Sequence, residues 1–224
     1  MYKRQELSLS DRSKYACALR ASQLVESGMK VGLGTGSTAY WLVHHLAKRV
    51  REEGLQFVGV PTSQKTRDQA LAEGIELISM DEAGRLDITI DGADEFDQSM
   101  NLIKGGGGAH LQEKIVAFGS DSMVVIADES KRVNKLGKFP LPVEVLQFGS
   151  TSSQMQIKEL LLTHNYKDFS VKMRTVDAKP FITDEGNYIF DLKLNEIEDP
   201  SRLCCDLNII PGVIENGLFI DVCS

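Results

Sequence analysis

Three short stretches carry the residues that could do chemistry. Gly32-Leu33-Gly34-Thr35-Gly36-Ser37-Thr38 sets permissive backbone beside three hydroxyls. Such a turn can aim several N–H groups at one anion, with Thr35, Ser37 and Thr38 as further donors. It lacks the Lys of a P-loop and the third glycine of GxGxxG, so a small phosphorylated metabolite suits it better than a dinucleotide. A tight strand-to-helix turn with no ligand is the alternative. Asp91-Gly92-Ala93-Asp94-Glu95 follows the apolar run Ile88-Thr89-Ile90. Its carboxylates could form a solvated, self-capped turn, hold a divalent cation such as Mg²⁺, or accept hydrogen bonds from sugar hydroxyls. The third stretch, Lys104-Gly105-Gly106-Gly107-Gly108, leads toward Glu113. Consecutive glycines are costly to order. Their apolar surroundings, Leu102-Ile103 before and Leu111, Ile115 and Val116 after, differ from those of a flexible linker and favour close approach of backbone to a ligand. Lys104 offers a positive charge and Glu113 a carboxylate able to act as a base, or else a surface residue beside Lys114.

Charge ties the stretches together. A phosphate dianion near Asp91, Asp94 and Glu113 is disfavoured unless cations compensate or a carboxyl is protonated. Lys104, Lys14 and Lys131 are the candidate cations. Phosphate at one end and carboxylates at the other would suit a polyhydroxylated substrate held by both ends.

These stretches must be placed by regular elements. Ser10 to Gly28 reads as an amphipathic helix with Ser10 as N-cap, and Val31–Leu33 as a strand running into the first glycine turn. A helix then closes at Gly54. A strand at 56–60, a helix at 63–73, strands at 75–78 and 87–90, a helix at 110–118 and a strand at 123–127 continue the alternation. This pattern predicts an α/β fold, a Rossmann-like and mostly parallel sheet with helices on both faces, whose ligands sit beyond the strand carboxyl ends. Phe139-Pro140-Leu141-Pro142-Val143 breaks the alternation. A helix at 152–162, strands at 169–176 and 188–194 around Asp184-Glu185-Gly186-Asn187, and a helix capped by Asp199-Pro200 then follow. The expected organisation is a catalytic domain over 1–132, rejoined by 206–224, and a smaller α+β domain over 133–205.

Composition narrows the classes of function. The 224 residues carry 25 Lys and Arg against 32 Asp and Glu, a net charge of −7. No basic face stands out, so nucleic acid is not an expected partner. The longest apolar run, Met123 to Ala127, is far short of the ~20 residues of a membrane span, and polar residues follow Met1. No membrane association and a cytoplasmic location are expected. Cys17, Cys204, Cys205 and Cys223 lack metal-like spacing and read as free thiols. The adjacent His44 and His45 diverge on a helix. No metal site is proposed.

With Gly137-Lys138-Phe139-Pro140-Leu141-Pro142-Val143-Glu144-Val145, the three stretches resemble, in order and spacing, ribose-5-phosphate isomerase of type A. The resemblance extends through Pro211-Gly212-Val213 and Gly217-Leu218-Phe219. It implies interconversion of ribose 5-phosphate and ribulose 5-phosphate in the pentose phosphate pathway, with no metal or organic cofactor, by a homodimer or homotetramer. It also implies that Glu113 is the general base acting through an enediolate, and that Asp91, Asp94 and Lys104 open the ring, orient hydroxyls and stabilise charge. Thr35, Gly36, Ser37 and Thr38 match the phosphate side, with Lys14; Gly92, Ala93, Gly105, Gly106, Gly107 and Lys131 match further substrate contacts. The sequence stops at Ser224, where members of this family commonly continue with another apolar segment. Competing expectations on the same fold are a non-catalytic sugar-phosphate sensor, a coenzyme-A transferase and an amino-sugar phosphate deaminase. The last is disfavoured by the lack of a His in the three loops.

Overall fold

The computed structural model describes residues 8–223. The chain runs α1 (Leu9–Ser22), β1 (Lys30–Leu33), α2 (Ser37–Glu53), β2 (Val58–Pro61), α3 (Gln64–Ala72), α4 (Met80–Ala83), β3 (Ile88–Asp91), β4 (Glu95–Phe96), β5 (Leu102–Ile103), α5 (His110–Phe118) and β6 (Met123–Val125). It continues as β7 (Leu141–Val145), α6 (Ser150–Thr163), β8 (Ser170–Met173), β9 (Thr175–Val176), β10 (Lys179–Pro180), β11 (Tyr188–Lys193), α7 (Pro200–Asn208), β12 (Val213–Asn216) and β13 (Leu218–Phe219). Two compact units result. The first comprises the chain up to Ala93, Gln112–Lys131 and the chain from Val222; the second comprises Asp94–Leu111 and Arg132–Asp221.

In the first unit a parallel sheet has the order β2-β1-β3-β6. Side-chain alternation gives it two buried faces. Val31, Leu33, Ile88 and Ile90 pack with Ala18, Ala21, Leu42 and Leu46 of α1 and α2. On the other face Val60 packs with Leu86 and with Val116 of α5. Helix ends follow local chemistry: Ser63 caps α3 by accepting from the Thr66 N–H, and α2 stops at Gly54, which adopts φ 71°. The cap of α1 is Ser8 rather than Ser10, because the Ser8 hydroxyl accepts from the Asp11 N–H and starts the helix two residues earlier. The expected strand at 75–78 is reduced to a single bridge between Leu77 and Gly59.

His45 on α2 is only 2% exposed and meets the Tyr15 ring edge-on at 4.4 Å. Burial, then the neighbouring His44 charge, pushes its pKa from 6.5 down to about 4. Between these values the unfolded chain binds a proton that the native chain refuses, so stability must fall as pH drops through this window, by up to about 3 kcal/mol. Urea midpoints measured from pH 7 to pH 4 should decline less steeply for His45→Gln than for the parent. Equal slopes would contradict the assignment.

The second unit is built on an antiparallel sheet of order β12-β7-β11-β8 covered by α6 and α7, with Leu141, Val143, Val145, Ile157, Leu203 and Phe190 in its core. A small sheet, β13-β5-β4, and a β9–β10 ribbon complete it. Two expectations are corrected here. The segment from 206 to 221 does not rejoin the first sheet: β12 pairs with β7 and β13 with β5. The segment 94–111 belongs to the second unit, because Ile103 enters its core and the Glu95 carboxylate accepts the N–H groups of Gly137 and Phe139 at 2.8 and 2.6 Å.

Candidate active site

In the first unit the register Leu33↔Ile90, Leu33↔Pro61 and Asp91↔Val125 brings the carboxyl ends of all four strands level. The chain goes from β1 to β2 on one side and later to β3 on the other, which makes the β1/β3 boundary a topological switch point, where sheets of this kind open a ligand crevice. The glycine turn and Asp91 meet there. Asp91 is fully buried, and its Oδ1 accepts the Thr35 N–H at 3.0 Å and the Gly92 N–H at 2.6 Å. Gly34 permits this approach, since a Cβ on it would lie 2.2 Å from Asp91 Oδ1 and 2.6 Å from Asp91 Cα.

The turn divides its labour in a way that its composition hides. The hydroxyl of half-buried Thr35 is engaged by Thr62, Ser63 and Thr66 at 2.8, 2.7 and 3.2 Å, so it is committed to building the turn. Gly36, with φ 114°, starts α2 without a side-chain cap, and Gly36 and Ser37 are exposed with Thr38 half-buried. The first-turn N–H groups of α2, with the helix dipole behind them, favour an anion at this point. A cavity of about 450 Å³ opens beside Gly36 and Ser37 and is bordered by Tyr40, Trp41, Lys65 and Gln69. Lys65, on α3, adds a cation that no local pattern marked.

Lys14 and Lys131 meet around a residue that sequence reasoning passed over. Asp128 follows β6 and caps the short turn Glu129–Lys131. The Ser130 hydroxyl, the Ser130 N–H at 3.0 Å, and the charges of Lys131 and Lys14 together hold its carboxyl below the ordinary aspartate value. Both lysines are half-buried. The available signal was an Asp just beyond an apolar strand, the same grammar that singled out Asp91. Glu113 lies in the first turn of α5 and is 4% exposed, and Lys114 beside it is 8% exposed, so neither is a surface residue. Ala93 is half-buried at the end of this unit's segment.

In the second unit the Asp94 carboxylate, half-buried, accepts the Gly106 N–H at 2.7 Å. Gly106 and Gly107 are exposed while Gly105 and Gly108 are buried. Lys104 follows β5, is 2% exposed, donates its backbone N–H to Gly217 O at 2.9 Å, and holds its ammonium 5.5 Å from the Phe219 ring centre. Glu95, the third carboxylate of its stretch, serves the fold rather than a ligand, through its bonds to Gly137 and Phe139. Among the described residues, no group of three or more His, Cys, Asp or Glu side chains is placed to hold a metal ion.

A parallel sheet flanked by helices, with a glycine turn, a helix N-terminus and a buried aspartate at its switch point, defines a Rossmann-like α/β protein. The family model of ribose 5-phosphate isomerase A (phosphoriboisomerase A) matches residues 58–224. The chain belongs to this family. Ribose-5-phosphate isomerase A of Ruegeria sp. (strain TM1040) is 58% identical over 219 residues, covering 98% of this chain and 84% of that protein. Ribose 5-phosphate isomerase A of Methanocaldococcus jannaschii is similar in structure, with TM-score 0.88 and 42% identity over 95% of this chain and 92% of that one. A D-ribose-5-phosphate isomerase in complex with phospho-erythronic acid gives TM-score 0.90 and 36% identity over 97% and 93%.

Proposed function

We propose that the protein interconverts D-ribose 5-phosphate and D-ribulose 5-phosphate. The observation that carries this reading is the likeness to named isomerases along nearly the whole chain, a span that includes all three chemical stretches. In the forward direction the open-chain aldose loses its C2 proton to the Glu113 carboxylate, giving an enediolate. Glu113 returns the proton to C1 while the hydroxyl proton moves from O2 to O1, leaving a ketone at C2. Lys104 stabilises the negative charge that develops on oxygen, and Asp91 and Asp94 orient hydroxyls and assist ring opening. The α2 N-terminus with Gly36, Ser37 and Thr38, and the cations Lys14 and Lys131, take the phosphate end. Gly92, Ala93, Gly105, Gly106 and Gly107 bring backbone to the sugar. No step draws on a metal or organic cofactor.

Phospho-erythronic acid, the ligand of one similar structure, supports this division. Its carboxylate resembles the planar, charged enediolate end of the reacting sugar and its phosphate the other end, which is how a transition-state mimic should look. The same reading places the protein in the cytoplasm, in the non-oxidative pentose phosphate pathway, as a homodimer or homotetramer. None of the described helices is long and apolar enough to cross a membrane. The test is direct: purified protein treated with a chelator should convert ribose 5-phosphate to ribulose 5-phosphate at an undiminished rate. Absence of product would refute the isomerase reading, and inhibition by the chelator would restore a metal to the Asp91 stretch.

A further inference from the structure

The Gly105–Gly106 peptide of the second unit is gripped at both ends. Its carbonyl oxygen, on Gly105, accepts from Arg174 Nη1 at 2.8 Å, and its N–H, on Gly106, donates to Asp94 Oδ2 at 2.7 Å. Because the C=O and N–H of a trans peptide point in opposite directions within one plane, a group that fixes the oxygen also fixes where the N–H points. The guanidinium polarises the bond at one end and the carboxylate draws on it at the other, so the two hydrogen bonds strengthen one another. The fit tolerates no side chain on Gly106, where a Cβ would lie 2.7 Å from Asp94 Oδ1.

Arg174 is itself immobilised. It sits between β8 and β9 with its side chain 14% exposed, and its Nε and Nη2 form a two-pronged bond to the Asp191 carboxylate of β11, Nε reaching Oδ2 at 2.9 Å. Its guanidinium carbon lies 5.9 Å from the centre of the Phe181 ring. Phe181, whose N–H bonds to Arg174 O at 2.9 Å, occupies the space that a side chain on Gly108 would need, with ring atoms 2.4 Å from the Cβ position. The one nitrogen of this ion-paired, fully oriented guanidinium that Asp191 does not take, Nη1, is therefore directed at two backbone carbonyls of a glycine loop, Gly105 O and, at 3.3 Å, Gly106 O. Stability alone has cheaper solutions, since ordering four glycines is among the costliest demands a loop can make.

We infer that Arg174 is a positioning residue that orients the Asp94 carboxylate through the Gly105–Gly106 peptide. The kinetic consequence rests on the isomerase reading, in which Asp94 handles the sugar; the structural coupling does not. The test is a double-mutant cycle of Arg174 with Asp94, followed by isomerase kinetics and by the amide-proton resonance of Gly106 in labelled protein. Arg174→Ala should lower kcat by about 10- to 100-fold with KM little changed, and Arg174→Lys should recover part of the loss. In an Asp94→Asn background either Arg174 substitution should cost at most about a further twofold, because the two residues act in series. The Gly106 amide proton should move upfield in Arg174→Lys as well as in Asp94→Asn. Kinetic losses that multiply independently, or a Gly106 resonance unmoved by the Arg174 substitutions, would overturn the inference. Should Arg174→Ala fail to fold, Arg174→Lys completes the cycle. A parent protein without isomerase activity would refute the functional reading, while the Gly106 resonance would still decide the coupling.

Discussion

Glu113→Gln is expected to lower kcat by about 10³- to 10⁴-fold, the upper range for loss of a positioned general base, with KM for ribose 5-phosphate within about threefold of the parent. The substitution suits the site. Glu113 is 4% exposed in the first turn of α5, so an isosteric amide fills the same volume and leaves the packing of Val116 against the sheet in place. What is lost is the ability to take and return a proton. The cleanest measurement is by NMR in deuterated water, where the parent should wash deuterium into the sugar during turnover and Glu113→Gln should not. Glu113→Asp separates basicity from placement: it keeps a carboxylate but withdraws it by one methylene, and displacement on the order of 1 Å costs roughly 10²-fold. Near-parental turnover in Glu113→Gln would remove Glu113 from the role of base.

Local chemistry made much of this legible. The caps at Ser63, Gly54 and Asp199-Pro200 mark α2, α3 and α7 within about a residue, because a cap is a bargain between neighbours in sequence. The strand–turn–helix around Gly34 is equally local. What escaped depends on distant partners. Pro140 and Pro142 read as breakers, yet β7 is an inner strand, and Pro142 is tolerated because it lies beyond Val143, the last residue paired with β12. The return of β12 and β13 to the second unit could not be seen in their own residues, since either sheet would accept an apolar strand. Asp91, Asp94 and Glu95 look alike in sequence and do different things: one is locked to the Thr35 turn, one to Gly106, and one to backbone 42 and 44 residues further on. Thr35 and Ser37 likewise diverge, one hydroxyl bonded to Thr62, Ser63 and Thr66 and the other on an exposed residue. Arg174 lies 69 positions from Gly105, so no spacing rule could pair them.

Lys104 carries the second large expected effect. As the C2 proton leaves, negative charge collects on the sugar oxygens, and an ammonium already held in place costs no reorganisation at that moment. Lys104 meets this requirement: it is 2% exposed, its backbone is tied to Gly217, and its ammonium is held over the Phe219 ring. Lys104→Met keeps the length and most of the volume while deleting the charge, so it should lower kcat by about 10²- to 10³-fold, the usual cost of one preorganised charge-stabilising donor. Lys104→Arg should not restore the rate, because a planar fork cannot occupy the space of a compact ammonium in a buried site. Lys104→Ala offers a sharper discriminator. A small primary alkylammonium added in solution should refill the cavity and recover part of kcat in a saturable manner, whereas a tetraalkylammonium, which has no N–H to donate, should not. Equal rescue by both ions would mean that bulk and ionic strength, rather than a directed donor at the developing oxyanion, account for the loss. Full activity in Lys104→Met would place the charge stabilisation elsewhere, with the N–H groups of the glycine loop as the next groups to test.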